Sequence, residues 1–264
     1  MYIEFKKGKI YFKEYGQGET LVLLHGYAES MKIWASFQKT LARHHHVVLI
    51  DLPGHGKSTM IDQIHTMELM ADCVKAVIDH LKIKCVTMVG HSMGGYVSLA
   101  FARKYRKFIK GLGLFHSTSL ADTDEVKEKR QQTVKILKKD HKDFLHGFIP
   151  SLFAPETKDL FQEEIQHLIH EASAISSESL IAAQLGMKER TSTLDVLINA
   201  SFPVMFIAGQ KDSRLPFENI WVQMALTETA HALILRNVGH MGFIEAKIQT
   251  LDYLDSFAKA CFKI

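Results

Sequence analysis

The chain has 264 residues, 47% of them hydrophobic and 23% charged, a composition that suits one globular domain carrying an insertion. Its net charge of +3 comes from 32 basic residues set among 29 acidic ones, as in Asp124-Glu125-Val126-Lys127-Glu128-Lys129-Arg130. That mixing excludes the concentrated basic face of a nucleic-acid partner and reads as a solvated helix surface.

The opening residues, Met1 to Gly8, alternate apolar and polar side chains and lack the apolar run of a secretory signal. No later stretch is apolar for long enough to span a bilayer. Cys73, Cys85 and Cys261 are far apart and odd in number, with no CxxC spacing for a metal or a redox pair. A cytoplasmic protein with reduced, packed thiols is expected.

In chain order, Tyr2 to Lys6, a Lys7-Gly8 turn and Lys9 to Tyr15 read as a hairpin. Short apolar runs follow at Leu21–Leu24, Val47–Ile50, Val86–Val89, Leu112–Phe115, Val204–Ala208 and Leu233–Leu235. Runs that are apolar without strict alternation suit strands covered on both faces of a largely parallel sheet. Helical patterns separate them at Ser30–Arg43, Thr66–Leu81, Ser92–Tyr105, Pro216–Leu226 and Glu245–Ala260, with Thr66 and Pro216 as start signals. Alternation of strand and helix predicts an α/β fold with a mostly parallel central sheet flanked by helices.

The alternation stops between Ser117 and Ser201. Phe144, Leu145, Phe148 and Ile149, then Phe161, Ile165, Leu168 and Ile169, fall at helical spacing there. A helical cap at 117–201, inserted into a core made of 1–116 and 202–264, is the reading; additional core helices are the alternative.

The sharpest chemical signal is Gly90-His91-Ser92-Met93-Gly94, a G-x-S-x-G directly after a predicted strand and before a predicted helix. By chance the motif alone arises in roughly one chain in ten of this length; the strand before it and the helix after it make it specific. A nucleophile on so tight a turn holds a strained backbone, and side chains two residues away on either side would collide. Gly90 and Gly94 remove them. Ser92 then stands at the carboxyl edge of the sheet, where open α/β folds bind ligands.

A serine hydroxyl needs a base. His240 follows the last strand and precedes the last helix, which sets it apart from the other 14 of the chain's 15 histidines. Asp212 closes the strand Val204–Ala208 and fits the carboxylate that fixes the tautomer of the base. Its alternative role is a cap for the helix from Pro216, and Asp122 and Asp124 compete for the acid position. Backbone donors for an oxyanion are expected from Met93, at a helix start, and from Tyr27, after the turn that Gly26 permits. His25 reads as a brace for that turn.

Two other patterns fail on spacing. The side chains of His44-His45-His46 cannot converge easily on one ion. Gly54-His55-Gly56-Lys57-Ser58 ends like a phosphate loop but lacks the earlier glycine.

Across His25-Gly26, Asp51 to Ser58, Gly90 to Gly95, Gly209 to Asp212 and Gly239-His240 the chain resembles the α/β-hydrolase fold family, in its lidded branch of small esterases, enol-lactonases and carbon–carbon bond hydrolases. The resemblance implies a cofactor-free, metal-free enzyme of carboxylesterase type acting on a small-molecule substrate. Its triad is Ser92, Asp212 and His240, and its oxyanion hole is made by the Tyr27 and Met93 amides. Phenylalanines and methionines in the cap suggest a small or medium apolar acyl or alkyl group. Alternatives are a carbon–carbon bond hydrolase, a cofactor-free haloperoxidase-like enzyme, and, from another class, a ligand receptor that keeps an intact triad.

Overall fold

The computed structural model describes residues 1–263. An antiparallel hairpin comes first: β1 (Tyr2–Phe5) and β2 (Gly8–Tyr15), turned at Lys6 with a left-handed φ of 51°. Then follow β3 (Thr20–Leu24), α1 (Ala35–Leu41), β4 (His46–Ile50), α2 (Met67–His80), β5 (Val86–His91), α3 (Met93–Lys104) and β6 (Ile109–Phe115). The stretch before the next strand carries α4 (Asp124–Phe148), α5 (Gln162–Ser173), α6 (Ser177–Glu189) and α7 (Leu194–Ile198). The chain closes with β7 (Val204–Gly209), α8 (Phe217–Ala225), β8 (Ala230–Leu235), the single turn α9 (Gly242–Glu245) and α10 (Lys247–Cys261).

The strands form one sheet in the order β1-β2-β4-β3-β5-β6-β7-β8. The β1–β2 and β2–β4 pairings are antiparallel and the rest parallel. Every residue of β3, β5 and β7 is buried, as apolar runs covered on both faces require. Because β3 and β5 to β8 run the same way, their carboxyl ends meet along one edge. Gly90 pairs with Leu24 and with Leu114, Phe115 with Ile207, and Gly209 with Leu235. The residues that follow those positions share that edge.

Side-chain caps start three of the helices: Thr66 caps α2, Thr123 caps α4 and Ser176 caps α6. Thr66 Oγ1 accepts from the Leu69 amide at 3.1 Å, and α2 then buries eight residues at helical spacing. Helix α4 is broken at Asp140 (φ −153°, ψ 96°), whose Oδ1 takes the Lys142 and Asp143 amides and restarts the helix.

The predicted helix Ser30–Arg43 begins instead as a 3-10 turn over Met31–Trp34. Ser30 Oγ holds the Lys32 amide and Asp51 Oδ1 holds that of Met31, which fixes a tighter first turn. The predicted last helix starts at Lys247, after an interruption at Ala246 (φ −138°). Strands β6 and β8 each begin three residues before their apolar runs. Among the described residues, 117–201 add helices and no strand to the sheet, and no helix is long and apolar enough to cross a membrane.

Candidate active site

Ser92 occupies the turn between β5 and α3 with φ 50° and ψ −114°, a left-handed conformation that costs a non-glycine residue of order 1–3 kcal/mol. The turn is held by its surroundings. The Ser92 amide donates to Phe115 O at 2.9 Å, and Ser117 Oγ donates to Ser92 O at 2.8 Å. A Cβ at Gly90 would lie 2.1 Å from Gly94 O, and one at Gly94 2.6 Å from His25 O. The two glycines are therefore steric necessities.

Asp212, after β7, divides its carboxylate between two tasks. Oδ1 accepts from the amides of Arg214 (2.8 Å) and Leu215 (3.2 Å), closing the turn before α8. Oδ2 accepts from His240 Nδ1 at 2.7 Å and His116 Nδ1 at 3.1 Å. One side chain thus both closes the turn before α8 and holds the His240 ring. Burial disfavours its charge, but the attraction of His240 and the hydrogen bonds from both histidines outweigh burial and hold the carboxyl far below the usual range. Asp122 is engaged elsewhere, with Arg130 at 2.5 Å and Arg190 at 2.7 Å. Asp124 lies in the exposed first turn of α4 against Lys127.

His240, after β8, is buried, and its Nδ1–H faces Asp212, which leaves Nε2 as the basic nitrogen. Its amide donates to Leu152 O at 2.7 Å. The flanking amides of Gly239 and Met241 donate to Glu245, which also accepts from Ala154. His91, the residue before Ser92, donates Nε2–H to His240 O at 2.9 Å, tying the serine turn to the histidine loop.

The amides of Tyr27 and Met93 have no acceptor among the described residues, although both residues are buried. Tyr27 follows the end of β3, the strand beside β5, and Met93 opens α3 directly after Ser92, so both amides lie in segments at the same sheet edge. His25 braces the first: Nδ1–H donates to Gly26 O at 2.8 Å, while Nε2 accepts from the Leu52 amide at 2.9 Å. Above them Tyr27 meets Phe148 of α4 edge-on at 5.8 Å, and Phe148 stacks on Phe144 at 5.2 Å. The Arg214 guanidinium covers Phe148 at 4.9 Å, and Ser213 Oγ donates to Ser151 O at 2.8 Å.

Sequence reasoning passed over three buried residues here: His116, Glu29 and His91. His116 directly follows β6, and that position at the shared edge was its one signal. Burial pushes its pKa down to about 4 against the pull of Asp212, so it is a neutral donor through Nδ1. With Asp212 and His240 it is the one grouping of donors among the described residues compact enough for a cation, within 4.8 Å. The contacts of His116 and of His240 with Asp212 are both hydrogen bonds. The other two patterns are structural: His45 pairs with Asp255 and His46 with Glu14, while the Lys57 amide and Ser58 Oγ tie the loop to Asp51. A cavity of about 520 Å³ lies nearby, between α5 and the 28–36 segment, lined among others by Ala28, Glu29, Leu168 and Phe243. Ser92, Asp212 and His240 are not part of its wall.

A family model described as "alpha/beta hydrolase fold" matches residues 19–247. An esterase from Thermogutta terrifontis, solved with malate bound, superposes with a TM-score of 0.91 at 28% identity, covering 96% of this chain and 94% of that one. The pimeloyl-[acyl-carrier protein] methyl ester esterase of Xanthomonas campestris is 27% identical over 259 residues, 93% of this chain and 97% of that protein. The dihydrolipoyllysine-residue acetyltransferase component of the acetoin cleaving system of Pseudomonas putida is 28% identical over 255 residues, and the match takes in 94% of this chain but 66% of that protein's length. The match covers most of the chain, and the serine turn and the carboxyl-edge loops lie within it: the chain belongs to the alpha/beta hydrolase fold family.

Proposed function

We propose that the chain is a serine hydrolase that cleaves small or medium, largely apolar carboxylic esters or related acyl substrates through an acyl-enzyme. Ser92 is the nucleophile, His240 the base and Asp212 the orienting acid, and the amides of Tyr27 and Met93 receive the oxyanion. The observation that carries this reading is the 2.7 Å hydrogen bond from His240 Nδ1 to a buried Asp212, in a loop that His91, the residue before the strained Ser92 (φ 50°), holds through His240 O at 2.9 Å. That bond fixes the tautomer in which Nε2 accepts the serine proton.

In the first step Ser92 Oγ attacks the carbonyl carbon and His240 Nε2 takes the hydroxyl proton. The tetrahedral oxyanion is stabilised by the two amides, each such donor being worth roughly 3–4 kcal/mol in comparable sites. His240 then gives its proton to the departing alkoxide. A water, deprotonated by the same nitrogen, attacks the acyl-enzyme; the bond to Ser92 Oγ breaks, His240 returns the proton to that oxygen, and the acid leaves. The negative charge of Asp212 stabilises the imidazolium at both stages.

Residues 117–201 serve as a cap over this centre. The contacts of Phe148 with Tyr27 and Arg214, and of Ser151 and Leu152 with the Asp212 and His240 loops, support that role. Phe144, Phe148 and Tyr27 make the roof apolar, which favours an uncharged acyl or alkyl group. The esterases among the relatives accord with ester cleavage.

A fluorophosphonate probe tests the assignment. Labelling is expected at Ser92, with its loss in Ser92→Ala and a fall on the order of 10⁶ in turnover of a short p-nitrophenyl ester. Full activity in Ser92→Ala would remove the nucleophile. Parallel assays on vinylogous diketones and on peracid formation separate ester cleavage from the alternative chemistries.

A further inference from the structure

Glu29 and His91 form a buried pair that the acyl-transfer steps do not use. Their side chains are 5% and 1% exposed, with Glu29 Oε2 3.0 Å from His91 Nδ1. The same carboxylate oxygen accepts from the Gly26 amide at 2.5 Å, and His91 Nε2–H donates to His240 O at 2.9 Å. Three loops from three strands therefore converge on two side chains: the β3 loop with Tyr27, the serine turn after β5, and the His240 loop after β8.

The fit leaves no slack. A Cβ at Gly26 would lie 2.7 Å from Glu29 Oε2 and 2.8 Å from His91 Nδ1, so Gly26 is glycine because this pair fills the space. Ala28 takes a left-handed φ of 60°, which turns the chain so that Glu29 reaches back to Gly26. Tyr27, with its unpartnered amide, is the residue inside that turn.

Both ring nitrogens of His91 face acceptors. One is a carboxylate oxygen that already receives an N–H, and the other is a backbone carbonyl. Two donations demand the imidazolium. A buried ion pair contributes little to stability, and packed apolar groups of the same volume often do better. The junction it occupies gives it a different use.

We propose that Glu29 and protonated His91 are positioning residues that hold the Tyr27 amide and the His240 backbone in register with Ser92, and that losing the His91 proton uncouples them. The inference rests on the serine-hydrolase reading above. Burial alone would lower the His91 pKa, but the Glu29 charge and hydrogen bond, then His240 O and Asp212, raise it on balance. Burial works against the Glu29 charge too, and His91 and the Gly26 amide outweigh it, lowering the pKa.

The other titratable groups facing His91 are His25 at the end of β3, His116 after β6, Asp212 after β7, and the His240 ring at 5.1 Å. Phe115 and Phe243 close the remaining sides with apolar edges. The pKa values of His25 and His116 are lowered by burial and that of Asp212 is held far down, so none of these three gains or loses a proton on the alkaline side.

The test follows the rate of fluorophosphonate labelling of Ser92 between pH 6 and 10. The wild type should slow on the alkaline side as His91 deprotonates. Glu29→Gln keeps an acceptor for Gly26 but removes the charge, so its alkaline limb should move down by about one pH unit or more. His91→Gln cannot titrate at that position; it should lose the alkaline limb and label on that side at a rate lower by on the order of 10- to 100-fold. On a short ester that loss should fall on kcat, with KM little changed. A measurement that needs no variant is the imidazole ¹⁵N spectrum of the wild type, in which both His91 nitrogens should carry protons at pH 8. Labelling with the same alkaline limb in wild type and Glu29→Gln, or a neutral His91 ring at pH 8, overturns this inference alone. No labelling of Ser92 at any pH overturns the hydrolase reading and this inference with it.

Discussion

His116 Nδ1 lies 3.1 Å from Asp212 Oδ2, the oxygen that also holds His240 at 2.7 Å. Asp212 thus accepts four hydrogen bonds: two from histidine rings and two from the Arg214 and Leu215 amides. A carboxylate so surrounded keeps its charge and one orientation, which is what an acid beneath an imidazole needs.

Removing the His116 donor should therefore weaken catalysis without touching the nucleophile. A hydrogen bond to a charged group is worth about 1.5–3 kcal/mol, so His116→Ala should lower kcat by on the order of 10- to 100-fold on a short ester. His116→Asn keeps an N–H near the Nδ1 position and tolerates the left-handed φ of 47° found there, so it should recover most of the loss. Equal losses in the two variants would show that the ring, and not its proton, is what matters.

The serine turn makes a steric prediction. A methyl group at Gly90 would stand 2.1 Å from Gly94 O, a backbone atom that cannot rotate away. Gly90→Ala should destabilise the fold by more than about 3 kcal/mol or displace Ser92 enough to abolish labelling. Gly147→Ala is the control, because nothing lies within 4 Å of a Cβ there. Urea unfolding of the two variants, read with labelling, measures the contrast.

How far the sequence foretold this arrangement depends on the range of each signal. Ser92 and its glycines were legible because their constraint is local: strand, tight turn, helix. Asp212 and His240 were legible as residues that close particular strands, and the structure brings the two side chains into contact. Glu29, His91 and His116 were not, because their partners lie 62, 149 and 96 positions away and nothing near them in the chain marks the pairing. The early start of β6 was hidden for a similar reason. Lys110 and Gly111 interrupt its apolar run, and Gly111 is small because a Cβ there would meet Cys261 Sγ of α10 at 2.2 Å.

Buried neutral histidines make stability depend on pH. Burial first, then the charge of His25, pushes His55 down to about 3, while burial brings His65 and His116 to about 4, from an ordinary value of 6.5. Between those values the unfolded chain binds more protons than the native one, so stability rises with pH and is lost as pH falls below 6.5. Each group contributes a slope of up to about 1.4 kcal/mol per pH unit in that window. The protein should unfold at lower urea concentration at pH 5 than at pH 7, and His55→Gln should make the dependence shallower. An unchanged slope in that variant would mean that His55 is not kept neutral by the fold.

Glu245 anchors the loop that carries His240. Its carboxylate accepts the amides of Gly239 (3.1 Å), Met241 (3.1 Å) and Ala154 (2.9 Å), so both neighbours of His240 and the segment after α4 depend on it. Burial raises its pKa, and the three amide donors oppose that rise. Glu245→Ala would leave those amides without their acceptor, a cost of roughly 1–3 kcal/mol for each that water does not reach. Because Leu152 O still holds the His240 amide at 2.7 Å, the loop should loosen and not unfold. The expected result is a loss of stability together with a fall in kcat larger than any change in KM, since the imidazole that must meet the serine hydroxyl no longer has a fixed backbone. Glu245→Gln keeps one acceptor oxygen and should fall between wild type and Ala in both measurements. If Glu245→Ala loses stability but turns over ester at the wild-type rate, the carboxylate supports the fold without positioning the base.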